Sequence, residues 1–359
     1  MKTLSLLILL TIALPAADRL DPAPQPPGGL AVTEVPQFIL LGFDDNQAAA
    51  PLAWFVDMLA PARNPAGAGQ AASFDGSPVR AILFSNGRYW SDPAIVAVHR
   101  RAVAAGHELA NHTHTHPFGI PFSVEKWREE MTACDDTYLK AGVLTRPTAG
   151  FRAPYLQYGD TAFQASVALG RLYDASIQEG YQPDQDGTNL LWPYTLDTGS
   201  PGNVARYPET SPRRLKGTYR GLWEIPMHVF FIPADDECAR YGVNPGLRAR
   251  MQANVDPKED NPASGRMTGL DWNHLESAKV TGPEFLAILK YSLDLRLKGN
   301  RAPFMLAGHT SLYPADKPER RQALEDFIAY ATGLPQVRFV TGEQLIGWLR
   351  RPVALKGRN

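Results

Sequence analysis

One recurring unit constrains this chain more than any other feature: a short apolar run, an amphipathic stretch, then another apolar run. The runs 37-QFILLGF-43 and 79-VRAILF-84 have the length and content of buried strands, and 52-LAWFVDMLA-60 between them is amphipathic. A helix from Ser91-Asp92-Pro93 to Gly106 follows, with a polar cap and proline in its first turn. Next come a short strand within 107-HELANH-112, a helix over 123–142, the strand-like 149-AGFRAPYL-156, a helical 160–169 and 171-RLYDASI-177. Late in the chain a helix at 283–299, strand 303-PFMLAGH-309, helix 318–332, strand 336–342 and a final helix capped at Thr341 with Gln344 complete the series. Apolar strands separated by helices are parallel, so the fold class is α/β, either a barrel or a doubly wound sheet.

No composition break divides the chain, and 37–352 reads as a single domain. Two long irregular stretches interrupt it, 178–221 and 233–281, holding Trp192, Tyr194, Tyr207, Tyr219, Tyr241 and Trp272 among many Gly and Pro residues. Loops of that length form lids or groove walls; otherwise their aromatics plug the rim of the barrel.

The N-terminus reads as an address. Lys2, the apolar run 4-LSLLILLTIAL-14 and the small residues before Asp18 make residues 1–17 a secretory signal, too short to span a bilayer comfortably. Residues 18–36, rich in proline, read as a flexible lead-in. The expectation is a secreted protein, extracellular or periplasmic, with no membrane attachment after cleavage. In that compartment Cys134 and Cys238 can pair, although two separate buried thiols fit equally well. A formal net charge of −1 gives no sign of a nucleic-acid partner.

The proposed strands end in chemistry. FILLGF runs into Asp44-Asp45, HELAN into histidines, GF into Arg152, and FMLAG into His309. In β/α folds that edge carries the active site, because the loops leaving it converge on one mouth. The segment 107-HELANHTHTHPF-118 holds four of the chain's eight histidines. On a continuing strand His112, His114 and His116 share a face; on a helical turn only His112 and His116 do. Asp44 and Asp45 would face opposite sides of a continuing strand, so the chain must bend there, and Asn46 is a permissive turn residue.

Taken in order, Asp44-Asp45, His112-Thr113-x-x-His116, Arg152-Ala153-Pro154-Tyr155 and a late strand ending in His309 resemble the motifs of polysaccharide deacetylases, the NodB-type carbohydrate esterases of family 4. The stretches "GFRAPYL", "LWPYTLD" and "GLWEIPM" are similar to chitin-deacetylase-like members. The resemblance implies a distorted (β/α) barrel of about seven strands with long loops over its C-terminal mouth. It makes Asp45, His112 and His116 the ligands of a divalent metal, zinc first, leaving His114 outside the ligand set. Asp44 becomes the general base for the attacking water, Arg152 the partner that positions it, and His309 the acid for the leaving amine. The backbone N–H of Tyr155 stands as an oxyanion donor.

The family's D-x-x-D-W motif is matched best by 197-DTGSP-201, which makes Asp197 the carboxylate that orients His309. Asp174 and Glu224 are other acids in the intervening chain. The motif's tryptophan is missing there, and Trp223 is the substitute expected to wall the acetyl pocket. Ala307 stands where a larger aliphatic is usual, which leaves room beside the acetyl methyl. The resemblance implies a monomeric hydrolase removing N-acetyl groups from an amino-sugar polymer, chitin first and peptidoglycan second. A de-O-acetylase, a small-amide hydrolase and a carbohydrate-binding protein on a degenerate barrel are the alternatives.

Overall fold

The structure, a computed structural model, describes residues 18–257 and 260–356. The expected secretory signal at 1–17 lies outside the described residues. Thirteen strands are present among them. The first seven are β1 (Gln37–Asp45), β2 (Ile82–Ser85), β3 (Glu108–Asn111), β4 (Gly150–Phe151), β5 (Tyr173–Asp174), β6 (Gln178–Glu179) and β7 (Tyr194–Thr195). The remainder are β8 (Trp223–Glu224), β9 (Met227–His228), β10 (Phe230–Phe231), β11 (Arg266–Met267), β12 (Phe304–His309) and β13 (Val337–Phe339). The main sheet runs β12-β1-β2-β3-β4-β5-β8-β7, with β13 also paired to the start of β1. Every pairing in it is parallel except β7 against β8. It curls into a half-barrel of eight strands, left open between β12 and β7. The α/β class and the distorted barrel read from the sequence are what the chain forms.

The helices start where local chemistry satisfies their first amides. Asp92 accepts from the Ala94 N–H at 2.8 Å ahead of Pro93, and Ser123 accepts from Lys126. Thr341 and Gln344 close a reciprocal capping box at the last helix, Gly342–Arg350.

Alternation along β1 sets both sides of the sheet. Ile39, Leu41 and Phe43 pack against the outer helices, while Phe38 and Leu40 face an inner cluster with Phe84, Tyr173 and Trp348. Each such side chain contributes about 1.5–3 kcal/mol when fully buried. Continuing that register, Gly42 and Asp44 fall on the inner face. A side chain at 42 would stand 3.1 Å from the Arg152 guanidinium, so glycine makes the space that Arg152 fills.

One expectation is corrected, and of the two alternatives for the cysteines the separate buried thiols are the one found. Residues 18–36 are not a loose lead-in. The Leu20 N–H donates to Thr195, Thr195 returns a backbone bond to the Leu20 carbonyl, Trp192 donates to Ala23, and Asp18 holds both Arg350 and the Trp223 indole. The backbone left unpaired outside β7 is what holds this segment down. Cys134 and Cys238 form no bridge; both are free and buried, with the Cys134 thiol bonded to Tyr138 at 3.0 Å and pushed up to about 12 by burial. A thiol-specific reagent should therefore label neither cysteine in the native protein and both after denaturation without reductant, a single label in denaturant being the result that contradicts two free thiols.

Candidate metal centre and active-site cleft

Strand ends place the site. Asp44 and Asp45 close β1, and Asp44 lies in register with His309 at the end of its parallel neighbour β12. His112 follows β3, and Arg152 follows β4. All of these lie at the C-terminal edge of the half-barrel.

β1 ends because Asp45 and Asn46 both take left-handed torsions, φ 63° and 52°. The Asn46 side-chain amide fixes the bend, donating to the Phe43 carbonyl and to Ser85 Oγ. The histidine segment turns in the same manner. No helical turn forms between His112 and His116; Thr113 and His116 adopt φ 65° and 58° instead, and Thr113 Oγ1 accepts from the His116 N–H. Neither the continuing strand nor the helical turn weighed for this segment is what forms, but the two rings still converge, with centroids 5.0 Å apart. Among the described residues nine non-glycines have positive φ, and Asp45, Asn46, Thr113, His116, Tyr155 and Leu156 all belong to this mouth. Left-handed torsions in residues with a side chain cost about 1–3 kcal/mol each and persist where surrounding structure over-determines them.

Asp45, His112 and His116 each offer a ligand atom, all within 4.8 Å of one another. Asp45 Oδ1 is 3.0 Å from His116 Nε2 and 3.6 Å from His112 Nε2. Ligand atoms about 2.0–2.2 Å from one tetrahedral ion stand about 3.4 Å apart, so the two Asp45–His separations suit a shared divalent ion. His112 Nδ1 lies 2.8 Å from the Arg152 carbonyl, which can only accept, so the proton sits on Nδ1 and Nε2 presents its lone pair. Burial holds the His112 ring down at about 4, against the pull of Asp44 and Asp45, so it is neutral as a ligand must be. Burial would raise the Asp45 carboxyl, yet the His116 hydrogen bond and the two imidazoles hold it well below the usual carboxylate range. His114 stands apart, packed against Gly87 with Thr137 at 3.4 Å from its Nδ1. His107 is buried at the other end of β3, accepting from the Ala81 N–H.

Asp44 is buried and paired with fully buried Arg152, Nη1 to Oδ1 at 2.6 Å. The fork is not bidentate: Nη1 also donates to the Gly42 carbonyl and Nε to Ala175, with the guanidinium over the Phe84 ring. The carboxylate is held by one strong charged bond, and the arginine is locked by backbone acceptors.

His309 is gripped by a residue that the sequence reading did not select. Asp271 Oδ1 accepts from its Nδ1 at 2.8 Å, and Asp271 Oδ2 accepts from its backbone N–H at 2.9 Å. Burial alone would lower the His309 pKa; the Asp271 charge and hydrogen bond, with help from Asp44 and Asp45, raise it to about 9. Asp271 arrives because residues 269–271 lie along the outer edge of β12, with the Ala307 N–H bonded to the Gly269 carbonyl and Leu270 bridging Ala307. Gly308 keeps the approach clear, since a Cβ there would meet Asp271 at 3.0 Å.

Asp197 is therefore not the orienting acid. It follows β7, at the far end of the sheet from β12, and accepts from the Gly221 N–H. Neither alternative acid takes the place: Asp174 accepts from Ser176, and Glu224 from Ile177, both fully within the core. Trp223 is likewise a core residue, 2% exposed on β8 with its indole N–H on Asp18. The tryptophan at the site is Trp272, half-exposed and 6.2 Å from the His309 ring. The signal was present in 268-TGLDW-272, which keeps the last two letters of D-x-x-D-W and lies next to the late strand that needs them. The space expected beside Ala307 is covered by Leu270, which packs with Leu156 and Met227.

Asp44, Asp45, His112, His116 and His309 line one cleft of about 950 Å³ that also includes Tyr155, Gln178, Tyr207, Arg213, Leu270 and Trp272. The two long irregular stretches thus supply walls through Tyr207 and Trp272, while Trp192, Tyr194 and Tyr219 are buried as plugs.

Fold and cleft together make an open, mostly parallel half-barrel whose C-terminal mouth holds a carboxylate–imidazole triad beside Asp44 and His309 on neighbouring strands. Residues 72–173, the span that holds His112, His116 and Arg152, match the model of the polysaccharide deacetylase family. The chain is 26% identical over 337 residues to chitin deacetylase 1 of Bombyx mori, covering 91% of this chain, and 21% identical to chitin deacetylase 8 of the same organism, covering 92%. It spans 53% of the first of these relatives and 74% of the second. A crystal structure of a protein provisionally assigned as a polysaccharide deacetylase, from Mycobacterium smegmatis, has the same fold (TM-score 0.54, 15% identity, 94% of this chain and 100% of that one).

Proposed function

We propose that residues 37–352 form one catalytic domain that hydrolyses N-acetyl groups on an amino-sugar polymer, chitin first and peptidoglycan second. The observation that carries the reading is the register of Asp44 and His309 on neighbouring strands, beside the Asp45–His112–His116 group and in the same cleft. Zinc suits that donor set best. Held by Asp45, His112 and His116, a divalent ion would supply acidification of water and polarisation of the acetyl carbonyl.

The chain's own groups do the rest. Asp44, held by Arg152, takes the proton of the attacking water. The Tyr155 N–H, beside the metal group in the same cleft, serves the oxygen on which charge develops. His309, kept cationic by Asp271, gives a proton from Nε2 to the departing nitrogen. Leu156 and Leu270 offer the acetyl methyl an apolar wall. The leader-like run at 1–17 supports action outside the cytoplasm, and among the described residues no helix is long and apolar enough to cross a membrane.

The ligand assignment has its own test. His112→Ala should lose tight binding of one zinc per chain, and His114→Ala should keep it; equal loss in both variants would show that the wrong imidazoles were chosen. The reaction is tested by acetate released from chitin oligomers, muropeptides and O-acetylated xylan. Release from the first supports this reading, whereas release from acetylated xylan alone makes the protein a de-O-acetylase.

A further inference from the structure

Large apolar side chains exposed on a folded surface need a reason when they cluster. Among the described residues five are exposed, and three of them, Phe118, Tyr155 and Trp272, lie at the cleft, the first two on the His116 side and the third beside His309. Phe118 is the most exposed, at 63%, and lies face to face on Tyr155, with centroids 4.0 Å apart and planes 5° from parallel. Tyr155 in turn meets the edge of His116, centroids 4.4 Å apart. On the other side Trp272 stands beside His309. The Phe118–Tyr155 stack abuts the metal group and Trp272 abuts the acid, so the reacting position has an aromatic surface on each side.

We infer that the Phe118–Tyr155 stack is a sugar-binding platform, a subsite for a pyranose ring one unit or more from the acetylated residue being cleaved. The inference rests on the proposed glycan deacetylase reading and extends it from the reacting sugar to its neighbours in the chain. A pyranose presents a face of axial C–H groups that packs on an aromatic face, and aromatic side chains commonly line sites for such ligands. Tyr155 is fixed from beneath by His116 and by its left-handed torsion, which leaves Phe118 as the outer layer with one face covered and the other open. Binding energy collected on such a platform, away from the reacting atoms, is available to hold the acetamide in place, so it rewards longer substrates.

The test compares the zinc-loaded protein with its Phe118→Ala and Phe118→Tyr variants on N-acetylglucosamine and its β-1,4-linked tetramer. Both tetramer binding by calorimetry and acetate release are measured. In the wild type the tetramer should have much the higher kcat/KM. Phe118→Ala should reduce the tetramer-to-monomer ratio roughly tenfold and weaken tetramer binding by a similar factor, and Phe118→Tyr should restore both. An unchanged ratio and unchanged binding in Phe118→Ala, or no tetramer binding by the wild type, overturns the platform. Tetramer binding that depends on Phe118 without any acetate release leaves the platform standing and overturns the deacetylase reading instead.

Discussion

Asp44→Asn should lower acetate release by about a hundred- to ten-thousandfold while the protein still binds one zinc per chain. The amide has the shape of the carboxylate and can still accept from Arg152, but it cannot take a proton. Arg152 is buried on all sides and also bonded to the Gly42 and Ala175 carbonyls, so its position survives the change. The loss of the buried ion pair leaves an uncompensated arginine, for which removal of one partner costs about 3–5 kcal/mol. Thermal stability measured beside activity separates this cost from the catalytic one. Acetate release near the wild-type rate from a folded Asp44→Asn protein would remove Asp44 as the base.

Asp271→Asn should lower turnover and displace the alkaline limb of the pH–rate profile toward acid. The sign follows from the charges. In the proposed reaction His309 can act as an acid only while protonated, so activity should be lost as pH rises through its pKa. Burial depresses that pKa, and the charge and hydrogen bond of Asp271 more than reverse the effect, carrying it to about 9. An asparagine keeps a hydrogen-bond acceptor but no charge, so the burial effect prevails and the proton leaves at lower pH. A cation beside Asp45 moves the limb in the same direction in both proteins, and the difference between them reads Asp271 alone. Asp197→Asn, on the far edge of the sheet, should leave the profile where it was. A shift with Asp197→Asn and none with Asp271→Asn would reverse the assignment made from the His309 contacts.

What the sequence could and could not disclose follows from how each residue is positioned. Asp44, Asp45, His112, His116, Arg152 and His309 each sit at or just past the end of a strand that is recognisable from its own apolar run. Parallel register then brings those ends to one mouth. Asp271 belongs to no such run. It comes from the irregular stretch 233–281, and only the docking of 269–271 onto the open edge of β12 gives it a place. That docking is a tertiary event with no periodic signal, which is why an earlier Asp at 197 could stand in for it. The turn between His112 and His116 was hidden for another reason. Its left-handed residues are threonine and histidine, not the glycine or asparagine by which such turns are ordinarily recognised. The lead-in was misjudged because a proline-rich stretch reads as loose unless its partners are known, and here those partners are 192–195, 223 and 350.

Metal dependence is read most directly from acetate released from a chitin tetramer by the purified protein, by the same protein after chelation, and by the chelated protein after one equivalent of zinc. Release should fall to background on chelation and return on addition of the metal if, as proposed, Asp45, His112 and His116 hold a single ion next to the Asp44–His309 pair. Undiminished release from the chelated protein, with its metal content shown to be nil, would contradict the account at its centre.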